Sequence, residues 1–387
     1  MERIDVKDIR KLATIGAGAI LAAGMTVGTL SAPLALAASY CVNNGGTGGC
    51  YSTIQAAVNA APAGSTVKVA AGTYNEYVLI TKPVLLKGAG AGRSIIDAAS
   101  ASPVYGVTIQ GVQQQTIVSG FTIEKAPLAG IQVAGSTAVV IIHNTVQGND
   151  TNLNLTDPSN PTCAGALPFD AEDCGEGINL NGAVGATVKA NTIENNAGGI
   201  LLSDEFGATH GNLIENNAVE NNVLDCGITL ASHPHSFPGG QPGPGYGVYG
   251  NVVQDNSSTN NGGAGVGIFD PTPGTKAYNN SVLNNVIAGN GLAGVMMHSH
   301  APNQNLTGNR IIGNWIGQNN LFGDTDSGDL ATTGILSWSA VSPIASLVIK
   351  NNVIVGGNHF GIWVVGPITS HISHNTISAQ VKIYKKM

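Results

Sequence analysis

The sequence predicts an all-β chain wound as a solenoid, with a short helix capping its N-terminal end. Three observations carry that expectation. A unit of Gly, then Ile or Val, any residue, then an aliphatic residue recurs along the chain. Its copies are Gly130-Ile131-Gln132-Val133, Gly177-Ile178-Asn179-Leu180, Gly199-Ile200-Leu201-Leu202, Gly227-Ile228-Thr229-Leu230, Gly265-Val266-Gly267-Ile268, Gly294-Val295-Met296-Met297, Gly334-Ile335-Leu336-Ser337 and Gly361-Ile362-Trp363-Val364, with Ser337 the one departure. Apolar residues at alternate positions of a short run mark a strand with one buried face. The copies recur at spacings of 22 to 47 residues, the signature of stacked coils whose length differences are taken up in loops. The composition agrees: 53 glycines among 387 residues with only 10% charged residues suits many short strands and tight turns.

At the N-terminus, Arg3, Lys7, Arg10 and Lys11 precede the apolar run Leu12–Leu30, and Ala35-Leu36-Ala37 offers a small-x-small cleavage site. Residues 1–38 therefore read as a secretory signal peptide, and 39–387 as one solenoid domain with no membrane span after cleavage. Five cysteines fit an oxidising compartment. Cys41 and Cys50 bracket one loop and Cys163 and Cys174 another, so each pair is placed to staple its own loop. Cys226, just before Gly227, reads as a buried inert thiol. The stretch 51–61 places Ile54, Ala57, Val58 and Ala61 on one helical face, with Ser52 or Thr53 as cap and Pro62-Ala63-Gly64 as stop. Strand-like runs follow at 66–69, 77–80 and 83–88. A terminal helix is what a solenoid needs to hide its open end.

The run from Thr53 to Asp97, TIQAAVNAAPAGSTVKVAAGTYNEYVLITKPVLLKGAGAGRSIID, resembles the N-terminal cap and first coils of right-handed parallel β-helix proteins of the pectin-lyase-like superfamily. The later rungs, each followed by an N-x-[IV]-x-x-N turn, resemble the NosD-like and carbohydrate-binding-and-hydrolysing branches of that superfamily. The resemblance covers about residues 51–380. It implies a right-handed parallel β-helix, and it leaves function open because the superfamily holds lyases, hydrolases, epimerases and non-enzymes.

Segments Asn144–Asn149, Asn191–Asn196, Asn212–Asn217, Asn251–Asn256, Asn280–Asn285, Asn309–Asn314 and Asn352–Asn358 read as the second strand of each coil. Their asparagines are expected to stack into ladders and to tolerate left-handed corners. Asn149, Asn154, Asn256 and Asn305 match the glycosylation pattern as a by-product. Insertions at 150–174, 234–247 and 323–332 break the rhythm, and insertions on a solenoid commonly crowd the binding face. In the last of them, Asp324, Asp326 and Asp329 read as a solvated acidic loop rather than a Ca²⁺ site, since the full ligand spacing is missing.

Aligning rungs on their Gly puts positions one and three inward and positions two, four and six outward. Titratable groups gather at the exits of four consecutive rungs. They are Asp204 and Glu205, then His233 and His235, then Asp270, then His298 and His300. Two His-x-His pairs two rungs apart suit metal ligation or acid–base work. The reading adopted is acid–base: Asp204, Glu205, His233, Asp270, His298 and His300 as catalytic candidates, with His235, Trp338 and Lys276 against substrate. No residue is assigned to a metal and the cofactor is left unknown. Trp338 follows His298 in the position-four column, where an indole can stack on a sugar. A carboxylate pair, Asp204 or Glu205 with Asp270, would hydrolyse a glycosidic bond, whereas His233 or His298 as base would suit a lyase or epimerase. Familiar pectinase signatures are missing, and scarce basic residues argue against polyuronates. The leading expectation is a secreted or periplasmic monomer acting on a polysaccharide or other glycan. The alternative is a non-catalytic periplasmic or surface binding protein, with metal handling in the NosD manner through Met296, His298 and His300 as one form of it. A net charge of −7 disfavours nucleic acid as a partner.

Overall fold

The computed structural model describes residues 39–99, 105–150, 176–233 and 244–386. The signal-peptide segment, Cys163, Cys174, His235 and the sequon at Asn154 lie outside them. Among the described residues, three parallel sheets of 12, 11 and 11 strands run the length of a solenoid. One, here called the rung sheet, holds the Gly-Ile strands. In one short coil the chain passes through Glu176–Asn181 of the rung sheet, Thr187–Lys189 of a second sheet and Thr192–Glu194 of a third. It then lays Gly198–Ser203 on the first strand with Ile178 opposite Ile200.

The register read from the sequence is the register of the structure. Ile178, Ile200, Ile228, Val266, Val295, Ile335 and Ile362 pair in succession, and all are fully buried. Each such side chain contributes about 1.5–3 kcal/mol relative to exposure. The Gly that opens each rung is there for space. A Cβ at Gly177 would lie 2.5 Å from Ile193 Cγ2 and 2.8 Å from Asn196 Nδ2, inside the corner that the third sheet makes with the rung.

Each coil has three strands, and the asparagine segments assigned to one second strand divide between two sheets. Leu213–Glu215 and Val252–Gln254 belong to the second sheet, whereas Thr145–Gln147 and Thr192–Glu194 belong to the third. The same five-residue spacing spans both strands, so the pattern cannot tell them apart. The ladders are real. One runs Asn144, Asn191, Asn217, Asn256, Asn285, Asn314, Asn352, Asn375, each Nδ2 donating to the next Oδ1 at 2.9–3.2 Å. A second begins Asn149, Asn196, Asn222, Asn261. Ladder asparagines do not take the left-handed conformation; the residue before each often does, as at His143, Ala190, Asn216 and Asn284. Asn149 and Asn256 are sealed in ladders, so their sequons are architectural.

The capping helix runs Ile54–Ala60, with Thr53 Oγ1 accepting from Ala56 N–H at 3.2 Å and Ile54, Ala57 and Val58 buried. Glu76 closes its N-terminus, accepting from Ile54 N–H at 2.7 Å and Gln55 N–H at 2.9 Å. Cys41 and Cys50 form a disulfide.

Candidate functional site

On the outer face of the rung sheet the position-four column runs Ala231, Phe269, His298, Trp338, Val365 in unbroken register. Position two of the later rungs is outward but not open. Met296, Leu336 and Trp363 form an apolar cluster there with Cys226, Ala264 and Ala293. Cys226 is buried, its sulfur accepting from Ala264 N–H at 3.1 Å. Met297 is in the core, as its inward position requires.

Position five continues the alternation and points inward. Asp204 and Asp270 were expected to line an outer groove, but both are fully buried at the rung exits. Asp204 accepts from the Ser232 hydroxyl at 2.9 Å, from His233 N–H at 2.7 Å and from Gly247 N–H. Burial pushes its pKa up to about 6 against the pull of those backbone donors. Asp270 accepts from Asn305 N–H at 3.2 Å, and burial raises its pKa well above the ordinary value. The described end of the 234–247 insertion, Pro244 to Gly247, thus closes on Asp204.

Glu205, at position six, is the carboxylate of this region that reaches solvent, its side chain 20% exposed. Its Oε1 lies 2.7 Å from Nδ1 of the buried His233. Burial alone would raise its pKa, but His233 and the Ser203 hydroxyl outweigh that, and Glu205 sits below the ordinary carboxylate range. An ionised Glu205 can only accept, so His233 Nδ1 carries a proton. Oε2 is buried and makes no hydrogen bond among the described residues.

Two rungs beyond His233, the 323–332 insertion folds back over His298 and His300. Asp324 Oδ2 lies 3.1 Å from His298 Nε2, both residues buried. Asp326 Oδ2 lies 3.3 Å from His300 Nε2, with side-chain exposures of 61% and 30%. His300 Nδ1 faces the Asp270 carbonyl at 3.4 Å. Trp338 packs edge-on against both imidazoles, centroids 5.2 and 5.4 Å away, and Phe269 meets His298 from the other side at 5.9 Å. The acidic loop is only partly solvated. Asp324 and Asp329 are buried, paired through an Asp324 N–H to Asp329 carbonyl bond, and Asp329 accepts from the Thr333 hydroxyl at 2.5 Å. Burial raises Asp329, while for Asp324 the neighbouring His298 outweighs burial and lowers it.

Of the remaining candidates, Lys276 lies beyond the rung, bridged to Asn305 and leading into the strand Ala277–Tyr278 of a small fourth sheet. That sheet carries the stack His210, Tyr249, Tyr278 at 4.8 and 5.0 Å. Asp324 had been read as solvent-facing and is buried, whereas Asp326 is exposed as expected; their histidine partners are 26 residues back along the chain, and nothing local in the sequence announces the contacts.

The model of the family described as periplasmic copper-binding protein (NosD) matches residues 58–237, ending before His298. Among solved structures, the A-module of the Azotobacter vinelandii mannuronan C-5 epimerase AlgE4 aligns at 15% identity and a TM-score of 0.58, covering 86% of this chain and 92% of that one. The AlgE6 A-module of the same organism aligns at 15% identity and a TM-score of 0.51, covering 86% and 91%. The chain is a right-handed parallel β-helix. At that identity the likeness carries fold and no more. A search of curated proteins gave no match. No helix among the described residues of this β-helix is long and apolar enough to cross a membrane.

Proposed function

We propose that this β-helix is a secreted or periplasmic carbohydrate-active enzyme whose glycan lies along the rung exits, from Glu205 to Trp338. The observation that carries it is the state of Glu205. Its pKa is held below the ordinary carboxylate range by His233 and the Ser203 hydroxyl in a largely buried setting, its Oε1 is fixed by His233, and its buried Oε2 has no hydrogen-bond partner among the described residues. Such a carboxylate is prepared to attack an anomeric carbon or to remove a proton, with His233 as a positioning residue. Asp204 and Asp270 act as structural acceptors for backbone donors. Phe269 and Trp338 supply ring faces and edges for sugar stacking. From the rung of Glu205 to that of His298 is three coils, about 14 Å at the spacing of neighbouring strands, room for two to three sugar units. The modules that share the fold are mannuronan C-5 epimerases, enzymes named for a polysaccharide, and the Cys41–Cys50 disulfide suits an oxidising compartment.

The test is a polysaccharide degradation and binding screen with product analysis by mass spectrometry and NMR, which separates hydrolysis, elimination and epimerisation. Glu205→Gln should lower turnover by about 10²–10⁴-fold while leaving glycan affinity within a few-fold. A wild-type protein that neither binds nor converts any glycan, or a Glu205→Gln variant with full turnover, would overturn the reading.

A further inference from the structure

The cluster at the far end of this groove has a chemistry of its own. One ring nitrogen each of His298 and His300 and one carboxylate oxygen of Asp326 lie within 4.8 Å of one another. His298 Nε2 is buried and, although 3.1 Å from Asp324 Oδ2, is too poorly aligned with it to make a hydrogen bond. A buried imidazole nitrogen whose contact with a carboxylate is close but misaligned, beside a second imidazole and a second carboxylate, keeps its lone pair turned into the cluster. His300 is oriented from behind. Its Nδ1 faces the Asp270 carbonyl, which can only accept, so Nε2 is the basic nitrogen and points at Asp326. That is the outer-shell arrangement that fixes a metal-ligating histidine.

We propose that His298, His300 and Asp326 bind a divalent metal ion of the zinc class, with Asp324, which lies beside His298 but outside that 4.8 Å group, swinging in to the fourth position. A tetrahedral ion with ligand bonds of about 2.0–2.1 Å sets its ligands about 3.4 Å apart. The three ligand atoms are therefore up to about 1.4 Å too far apart, and Asp326, on an exposed turn, is free to close the gap. Two carboxylates facing two imidazoles leave two negative charges, which a divalent cation neutralises. The donor set also selects among metals. A cuprous ion prefers thiolate and thioether ligands, but Met297 is in the core and Met296 and Cys226 are in the outer apolar cluster. Imidazole and carboxylate suit Zn²⁺, Ni²⁺ or Cu²⁺, and an all-oxygen shell for Ca²⁺ is not available here. The copper named in the family description thus fits these residues only as the divalent ion.

The test uses the full chain without glycan, by calorimetry and by metal analysis after dialysis, with Co²⁺ as a spectroscopic substitute. One Zn²⁺ per chain is expected, with intense tetrahedral d–d absorption from Co²⁺. His300→Gln and Asp326→Asn should each weaken Zn²⁺ at least tenfold with unchanged circular dichroism, whereas His371→Gln, remote from the cluster, should have no effect. Absence of stoichiometric Zn²⁺, equal binding by both cluster variants, or preference for Cu⁺ or Ca²⁺ would overturn the assignment. Because no sugar is present, failure here leaves the glycan reading standing, and failure of the glycan screen leaves the metal result untouched.

Discussion

The exit at Glu205–His233 and the exit at His298–His300 are built from the same residue types, and they end in different states. At the first, the carboxylates sit on the rung before the histidine, so sheet stacking alone brings Glu205 to His233, and the returning insertion caps Asp204. His233 is fully enclosed. At the second, the carboxylates come from an insertion that precedes the next rung, and they reach the histidines from outside, leaving His300 partly open. The difference teaches that on a β-helix the source of a partner, neighbouring strand or folded-back loop, decides whether a histidine pair becomes framework or opening.

The largest effect expected from this contrast is on stability. Asp204→Ala strands the His233 and Gly247 N–H groups and the Ser232 hydroxyl, and should cost about 3–5 kcal/mol in chemical denaturation. An equal unfolding midpoint would show that the corner does not depend on its carboxylate.

Next comes the pH dependence. Asp204 keeps its proton to about pH 6 when folded, against an ordinary value of 3.8. Between those values the folded chain binds more protons than the unfolded one, so this contribution falls as pH rises through the window, by up to about 3 kcal/mol. Asp270, raised by burial, acts in the same direction. Glu205 and Asp324, both lowered, act oppositely: their contribution is present above their ordinary values and is lost as pH falls through the lowered ones. Unfolding curves of wild type and Asp204→Asn at pH 4 and 7 isolate the first contribution, and parallel curves would remove it.

The rungs, their register and the core column were legible in the sequence because a period-2 strand shows its buried face directly. Position five was misjudged: the inward alternation runs one residue past the apolar strand, carrying Asp204 and Asp270 inside. The third sheet was hidden because one asparagine spacing serves two corners. The Asp324–His298 and Asp326–His300 contacts were illegible for another reason: they depend on a loop folding back, which no local pattern encodes.

A smaller effect sharpens the open end of the comparison. Trp338→Ala should weaken glycan binding by about 1–1.5 kcal/mol, roughly fivefold to tenfold, measured by calorimetry; unchanged affinity would move the sugar away from this ledge. The smallest effect is Asp326→Ala on folding. The residue is exposed on its loop, and metal-free stability should stay within about 0.5 kcal/mol of wild type, in contrast to Asp204. A larger loss would mean that the open cluster is also framework.

The fold-back of residues 324–326 onto His298 and His300 has a temporal consequence. Coils of a solenoid can be laid down in chain order as synthesis proceeds, and the histidine rung is complete before the acidic loop has emerged. During that interval the imidazoles stand without their carboxylates. They acquire them only when the Gly334 rung anchors the far side of the loop through Thr333. The cluster is therefore a clock as much as a site: its competence reports that the next coil has arrived, and a chain stalled one rung short would have a finished wall and no centre.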